Sequence, residues 1–183
     1  MVSEPDVSVA TPAREGRPRL ALLIAVLSVA AFGALLGILW ARIAPADPLF
    51  VAGGKAYPQA FQPRDYISDD GLAAVMCLLA GVITAVIVIV ILRRRGGADA
   101  MLAALVVSLL LGAVGAVTFW WVGTRMGYVD LAALLSNAQD GDKFSAPVRI
   151  RMPGVLVLWP AASSFVILLV AIVDWWKIGR AHV

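Results

Sequence analysis

Three aspartates stand close together in this sequence and are the first side chains to consider for chemistry. Asp65, Asp69 and Asp70 come just before a long apolar run that begins at Gly71. Carboxylates can act as acids, bases or cation ligands, but adjacent positions of a helix do not face each other, and no histidine stands nearby. Carboxylates at a helix start also accept hydrogen bonds from the first backbone N–H groups. The sequence therefore favours helix capping over cation binding.

Other reactive side chains are scarce. The single cysteine, Cys77, lies inside an apolar run, so we interpret it as a packing residue that forms no internal disulfide. The only histidine, His182, belongs to residues 178–183, which resemble a translated sequencing adapter and are therefore suspected to be a non-native tail. The chain contains no Walker loop, HExxH, CxxC or GxSxG motif. We expect no enzyme activity, no catalytic residue, no metal site and no cofactor.

Basic residues are concentrated beside the apolar runs, which argues for membrane orientation and against nucleic-acid binding. The candidate contacts to anionic lipid are Arg93, Arg94, Arg95, Arg149 and Arg151. The expected partners are the lipid bilayer and either a membrane protein or a second copy of the chain.

Four segments free of charged residues must position all of these groups. They are residues 20–41, 71–92, 100–124 and 153–173. Each is long enough for a helix to cross a hydrocarbon core about 30 Å thick. The sequence thus predicts an all-α membrane fold, a four-span transmembrane bundle within residues 20–177. Since no ionisable group lies inside a span, ion-coupled transport is disfavoured.

Small residues recur at intervals of four within the spans and indicate close helix packing, or contact with a partner. They are Gly33, Gly37, Gly81, Ala104, Ser108, Gly112 and Ala116. A second interpretation concerns hydroxyl side chains that could line the pore of an oligomer. These are Ser28, Thr84, Ser108, Thr118 and Ser163. Pro160, after Trp159, is expected to kink the fourth span.

The two long loops, 42–70 and 125–152, are predicted to form a small extracytoplasmic β-element. Short β-prone runs on either side of Gly53-Gly54 indicate a hairpin. The alternation of apolar and basic residues over 148–152 predicts a third strand. Residues 130–136 are typical of a short helix, with Asn137 as its end.

Orientation follows from arginine density. Three arginines precede the first span and three fill the short turn 93–97, so both termini are predicted to be cytoplasmic, with residues 1–19 a disordered tail. The expected location is a bacterial plasma membrane. Tryptophans near the span ends are predicted to anchor the interfaces, namely Trp40, Trp120, Trp121, Trp175 and Trp176.

Three motifs resemble an actinobacterial membrane family of unknown function, the DUF2567 family, over residues 20–176. They are the turn Arg93–Gly97, the segment Phe119–Gly123, and Arg149–Val155 leading to Leu158-Trp159-Pro160. The resemblance implies a fold and an envelope location, without an activity. We expect a non-enzymatic accessory or scaffold subunit of the actinobacterial cell envelope. The alternative is a small oligomeric transporter or channel component.

Overall fold

Four membrane-length helices dominate the structure. A computed structural model of the 183-residue chain describes residues 16–45, 48–58, 64–92 and 98–180. Within them, four helices are long and apolar enough to cross a membrane: α1 (Gly16–Ile43), α2 (Arg64–Leu92), α3 (Ala98–Met126) and α5 (Leu158–Arg180). The predicted four-span helical membrane bundle is confirmed, and the chain is an integral, multi-pass membrane protein.

Two terminal predictions fall partly beyond these limits. Helix α1 begins at Gly16, inside the segment predicted to be a disordered tail, and residues 1–15 lie outside the described residues. Helix α5 continues to Arg180, and residues 181–183 of the suspected tail also lie outside them.

The helices pack in two parallel pairs joined by an antiparallel contact. Helix α1 runs along α3 in the same direction, and α2 runs in the same direction along α5. Helix α3 crosses α5 in the opposite direction, with Gly112 against Pro160 and Ser108 against Ser163. Helices α2 and α3 are consecutive in the chain, but their mutual contact is smaller than the contact of α2 with α5. Helix α3 is therefore the centre of the bundle.

A three-stranded antiparallel sheet lies at one end of the bundle, in the order β2-β1-β3. Strands β1 (Pro48–Ala52) and β2 (Lys55–Pro58) form the predicted hairpin. Its turn needs glycine, because Gly53 and Gly54 have φ values of +57° and +71°, where other residues are strained. We call this end, formed by the sheet and residues 124–152, the sheet end.

The third strand is not the segment that the sequence predicts. Strand β3 (Lys143–Ser145) pairs with β1, placing Leu49 opposite Phe144, whereas residues 148–152 form no strand. The alternation holds only in part, since Val148 is buried and Arg149 exposed, but Met152 is 66% exposed. This segment lies beside the end of α3, where Val148 faces Gly127, and a period of two alone does not reveal whether a β-partner is present.

The short helix α4 (Leu131–Ser136) is present where predicted. The Asp130 carboxylate accepts hydrogen bonds from the backbone N–H groups of Ala132 and Ala133, each 3.1 Å long. Asn137 forms the C-terminal cap. A side-chain cap at the start and a polar residue at the end explain why so short a helix is defined.

Pro160 does not interrupt the fourth span. A 3-10 helix (Pro153–Val157) leads into α5, so Pro160 lies in the first turn of the α-helix, where no backbone N–H group needs an intrahelical partner. The predicted kink depended on a backbone hydrogen bond lost inside the helix, and Pro160 lies too near the start of α5 to remove one. The Ser163 hydroxyl donates to the Pro160 carbonyl oxygen at 3.0 Å instead of accepting from freed groups.

Candidate functional site: the sheet end of the bundle

Trp40 connects three helices beneath the sheet. Its side chain is fully buried, its indole N–H donates to the backbone carbonyl oxygen of Asp69 at 3.1 Å, and its ring lies 5.8 Å from that of Phe119. The prediction that Trp40 anchors the membrane interface is therefore wrong. Its position at a span end led to that prediction, but Gly123 of α3 leaves space for the ring, and Gly37 lets the two helices approach closely beside it.

Asp70 fastens the last outer segment to the bundle. Its carboxylate oxygens accept hydrogen bonds from the backbone N–H groups of Arg151, at 3.1 Å, and Met152, at 3.0 Å. Because α2 begins at Arg64, Asp69 and Asp70 lie within the helix and do not cap it, so the capping prediction is wrong for both. The side chain of Asp65 lies outside the described residues. A carboxylate from one span thus holds the chain entering another.

Replacing Asp70 by asparagine tests this attachment. An asparagine side chain has one acceptor oxygen, so its NH₂ group would face the second backbone N–H group and that hydrogen bond would be lost. Asp70→Asn should therefore lower the free energy of local opening at 151–152 by about 1–3 kcal/mol. Hydrogen–deuterium exchange of the Arg151 and Met152 amides measures this free energy. Asp140→Asn, at an exposed carboxylate, is the matched control and should leave both amides protected. Unchanged protection in Asp70→Asn would refute the attachment.

A groove opens between the end of α3 and the segment 147–150. It encloses about 360 Å³, and its wall includes Trp120, Arg125, Tyr128 and Arg149. Of these residues, only Arg149 was predicted from the sequence to contact a ligand, and Arg125 and Tyr128 were not. Only the fold brings the two arginines to one groove, since they are separated by an entire loop.

The small residues predicted for packing lie at helix contacts. Gly33 and Gly37 face α3, Gly81 faces α5 at Trp159 and Ala162, and Gly112 faces Pro160. Ala104, Ser108 and Ala116 are buried. The GxxxG pair of α1 is thus occupied within the chain, which leaves it no surface for a partner. Gly115 and Gly123, which receive Trp159 and Trp40 respectively, were missed.

The hydroxyls considered for a pore do not share a surface. Thr84, Ser108 and Ser163 are buried between helices. Thr84 accepts a hydrogen bond from the Trp159 indole N–H at 3.1 Å and donates to the Ala80 carbonyl oxygen. Thr118 donates to carbonyl oxygens of its own helix, while Ser28 is exposed. These groups serve packing in this chain.

The remaining interface tryptophans are exposed, with accessible fractions between 43% and 75%. They are Trp120 and Trp121 near one end of the bundle and Trp175 and Trp176 near the other. Arg93, Arg94 and Arg95 lie outside the described residues. Arg149 and Arg151 were expected to lie on one strand, but neither belongs to a strand in the structure. Arg149 is exposed, and the backbone N–H group of Arg151 donates to Asp70.

Among the described residues, no group of three or more His, Cys, Asp or Glu side chains is arranged to hold a metal ion. Cys77 is buried in the apolar core beside Ala73 and Ala80. Comparison with family models, curated proteins and solved structures found no match for this chain. The arrangement of the residues themselves is thus the basis for any functional conclusion.

Proposed function

We propose that this protein is a non-enzymatic accessory subunit of a bacterial cell envelope. In this proposal, its four spans hold the sheet end at the outer surface of the plasma membrane, with both termini in the cytoplasm, and the sheet end docks a partner membrane protein. The resemblance to the DUF2567 family supports an actinobacterial envelope as the location.

The observation that carries the proposal is the attachment of the sheet end to the bundle. The Asp70 carboxylate binds two consecutive backbone N–H groups of the segment entering α5, and the Trp40 indole ties α1 to α2. Bonds that join segments far apart in the chain restrict their relative motion. A surface held this firmly is suited to presenting a fixed shape, which lowers the entropic cost of binding.

The exposed part of the sheet end offers contact residues of the kind found at protein interfaces. Tyr57 on β2 is 45% exposed, Tyr128 is 64% exposed and Met152 is 66% exposed. Tyrosine and methionine are enriched at interfaces because they provide large contact areas. An oligomeric pore is less well supported, because Thr84, Ser108 and Ser163 are buried within the single chain.

Site-specific photocrosslinking in native membranes tests the proposal. A photoreactive amino acid placed at Tyr57 should form a covalent adduct with one envelope protein, identified by mass spectrometry. The same amino acid at Trp175, which is exposed at the opposite end, is the matched control and should not give that adduct.

Dependence on the folded hairpin separates specific docking from chance proximity. Gly53→Val/Gly54→Val places β-branched residues at positive φ, which costs about 1–2 kcal/mol per residue, and should abolish the Tyr57 adduct. The proposal fails if Tyr57 yields only lipid adducts or the same adducts as Trp175. It also fails if the purified protein is a homo-oligomer that conducts ions in liposomes.

A further inference from the structure

The groove beside α3 combines two cations with aromatic side chains. Arg125, at the end of α3, and Arg149, in the segment 147–150, both line this groove and are exposed, and Trp120 and Tyr128 line it with them. Two arginines on opposite sides of one cavity give it a positive charge, which favours binding of an anion there. Guanidinium groups bind phosphate oxygens through paired, charge-assisted hydrogen bonds.

The carboxylates near this groove have other partners. The residues that line it include none, among those that the structure describes. An adjoining groove shares Tyr128 and Arg149 with this one and is also lined by Asp130. The Asp130 carboxylate accepts hydrogen bonds from the first backbone N–H groups of α4. Asp70 binds the backbone of Arg151 and Met152. Because no described carboxylate lines the groove itself, an external anion can approach Arg125 and Arg149 there.

The position of the groove along α3 indicates that the anion belongs to a membrane lipid. The apolar part of α3 ends at Thr124, and the Arg125 guanidinium carbon lies 5.6 Å from the ring centre of the exposed Trp121. Exposed tryptophans beside arginine at a span end mark the headgroup region of a bilayer. Lipid-facing residues of α3, such as Val117, continue below the groove along the acyl chains.

We propose that this groove binds the headgroup of an anionic phospholipid, with its phosphate between the guanidinium groups of Arg125 and Arg149. Its acyl chains extend along the exposed face of α3. Trp120 and Tyr128 form the sides of the site at the headgroup level. The site shares Tyr128 with the surface proposed for partner docking, but it does not require a partner, because purified protein and lipid are sufficient to form it.

Native mass spectrometry of the purified protein in mixed phosphatidylglycerol and phosphatidylcholine tests the site. The wild type should retain phosphatidylglycerol in preference to phosphatidylcholine. Arg125→Gln/Arg149→Gln should reduce this preference about thirtyfold, since each basic residue near a charged lipid surface contributes on the order of 1 kcal/mol and every 1.4 kcal/mol is a factor of ten. Arg125→Lys/Arg149→Lys keeps both charges and should lose less, because lysine cannot form the paired contact.

The matched control removes the same charge from the same end of the bundle. Arg42 and Lys143 are exposed there and lie outside the groove lining, so Arg42→Gln/Lys143→Gln should leave the preference unchanged. Equal losses in both double variants would show general charge attraction and overturn the proposal. It is equally overturned if the wild type shows no preference, or if excess inorganic phosphate displaces the lipid, which would indicate a site for a soluble anion.

Discussion

Replacing Gly33 and Gly37 by alanine is expected to separate α1 from α3 and destabilise the bundle. A Cβ atom at either position would lie 2.5 Å from a backbone carbonyl oxygen of α3, that of Gly115 or Phe119. These are backbone atoms, which cannot move away without shifting the helix. We expect Gly33→Ala/Gly37→Ala to lower the free energy of unfolding by about 2–4 kcal/mol, even though alanine favours the helix itself.

The measurement is equilibrium unfolding in mixed detergent micelles, followed by tryptophan fluorescence, to which Trp40 at this contact contributes. Gly71→Ala in α2 is the control, because an added Cβ there meets no atom within 4 Å. That variant should be as stable as the wild type or more stable by up to about 1 kcal/mol. Equal stability of the double variant and the wild type would show that α1 does not depend on this close approach.

Replacing Trp159 by alanine should be the most damaging single substitution in the described core. The side chain is fully buried, packs edge-to-face on Phe32 at 5.9 Å, and occupies space left by Gly115. Removing so large a buried ring leaves a cavity that the helices cannot fill, and the expected loss of stability is about 3–5 kcal/mol.

Two further variants separate the contributions of this ring. Trp175→Ala removes the same side chain where it is 75% exposed and should change stability by less than about 1 kcal/mol in micelles. Trp159→Phe keeps most of the ring but leaves the Thr84 hydroxyl without its donor, and should lose about 0.5–1.5 kcal/mol more than ring size alone explains. If Trp159→Ala were no worse than Trp175→Ala, the packing described here would be incorrect.

The four spans could be predicted from sequence because each depends on a local property, the length of an apolar run. The hairpin was equally local, since Gly53-Gly54 determines its turn. Trp40 was not predictable, because whether a tryptophan at a span end faces lipid or a neighbouring helix depends on small residues elsewhere, here Gly123. Sequence position alone therefore does not distinguish a tryptophan that faces lipid from one that packs against a neighbouring helix.

The candidate site was even harder to predict from the sequence. Asp70 resembled a helix cap because the apolar run begins after it, but α2 starts at Arg64, six positions earlier, in a polar segment. Its partners are the backbone N–H groups of Arg151 and Met152, which lie in a loop far along the chain. Every residue type except proline has a backbone N–H group, so the sequence does not indicate which of them will bind Asp70. Arg125 and Arg149 are also well separated in the sequence, one at the end of α3 and the other in the segment 147–150. Tertiary contacts between loops decide these features.

The pairing of the helices also determines the order in which this protein can be built. A ribosome delivers α1 and α2 one after the other, yet α1 packs mainly on α3 and α2 mainly on α5. Neither early span finds its main neighbour at the moment of insertion. Helix α1 must remain in lipid, with Gly33 and Gly37 uncovered, until α3 enters beside it. The bundle can close only when α5 is delivered, so its assembly is a late event of synthesis.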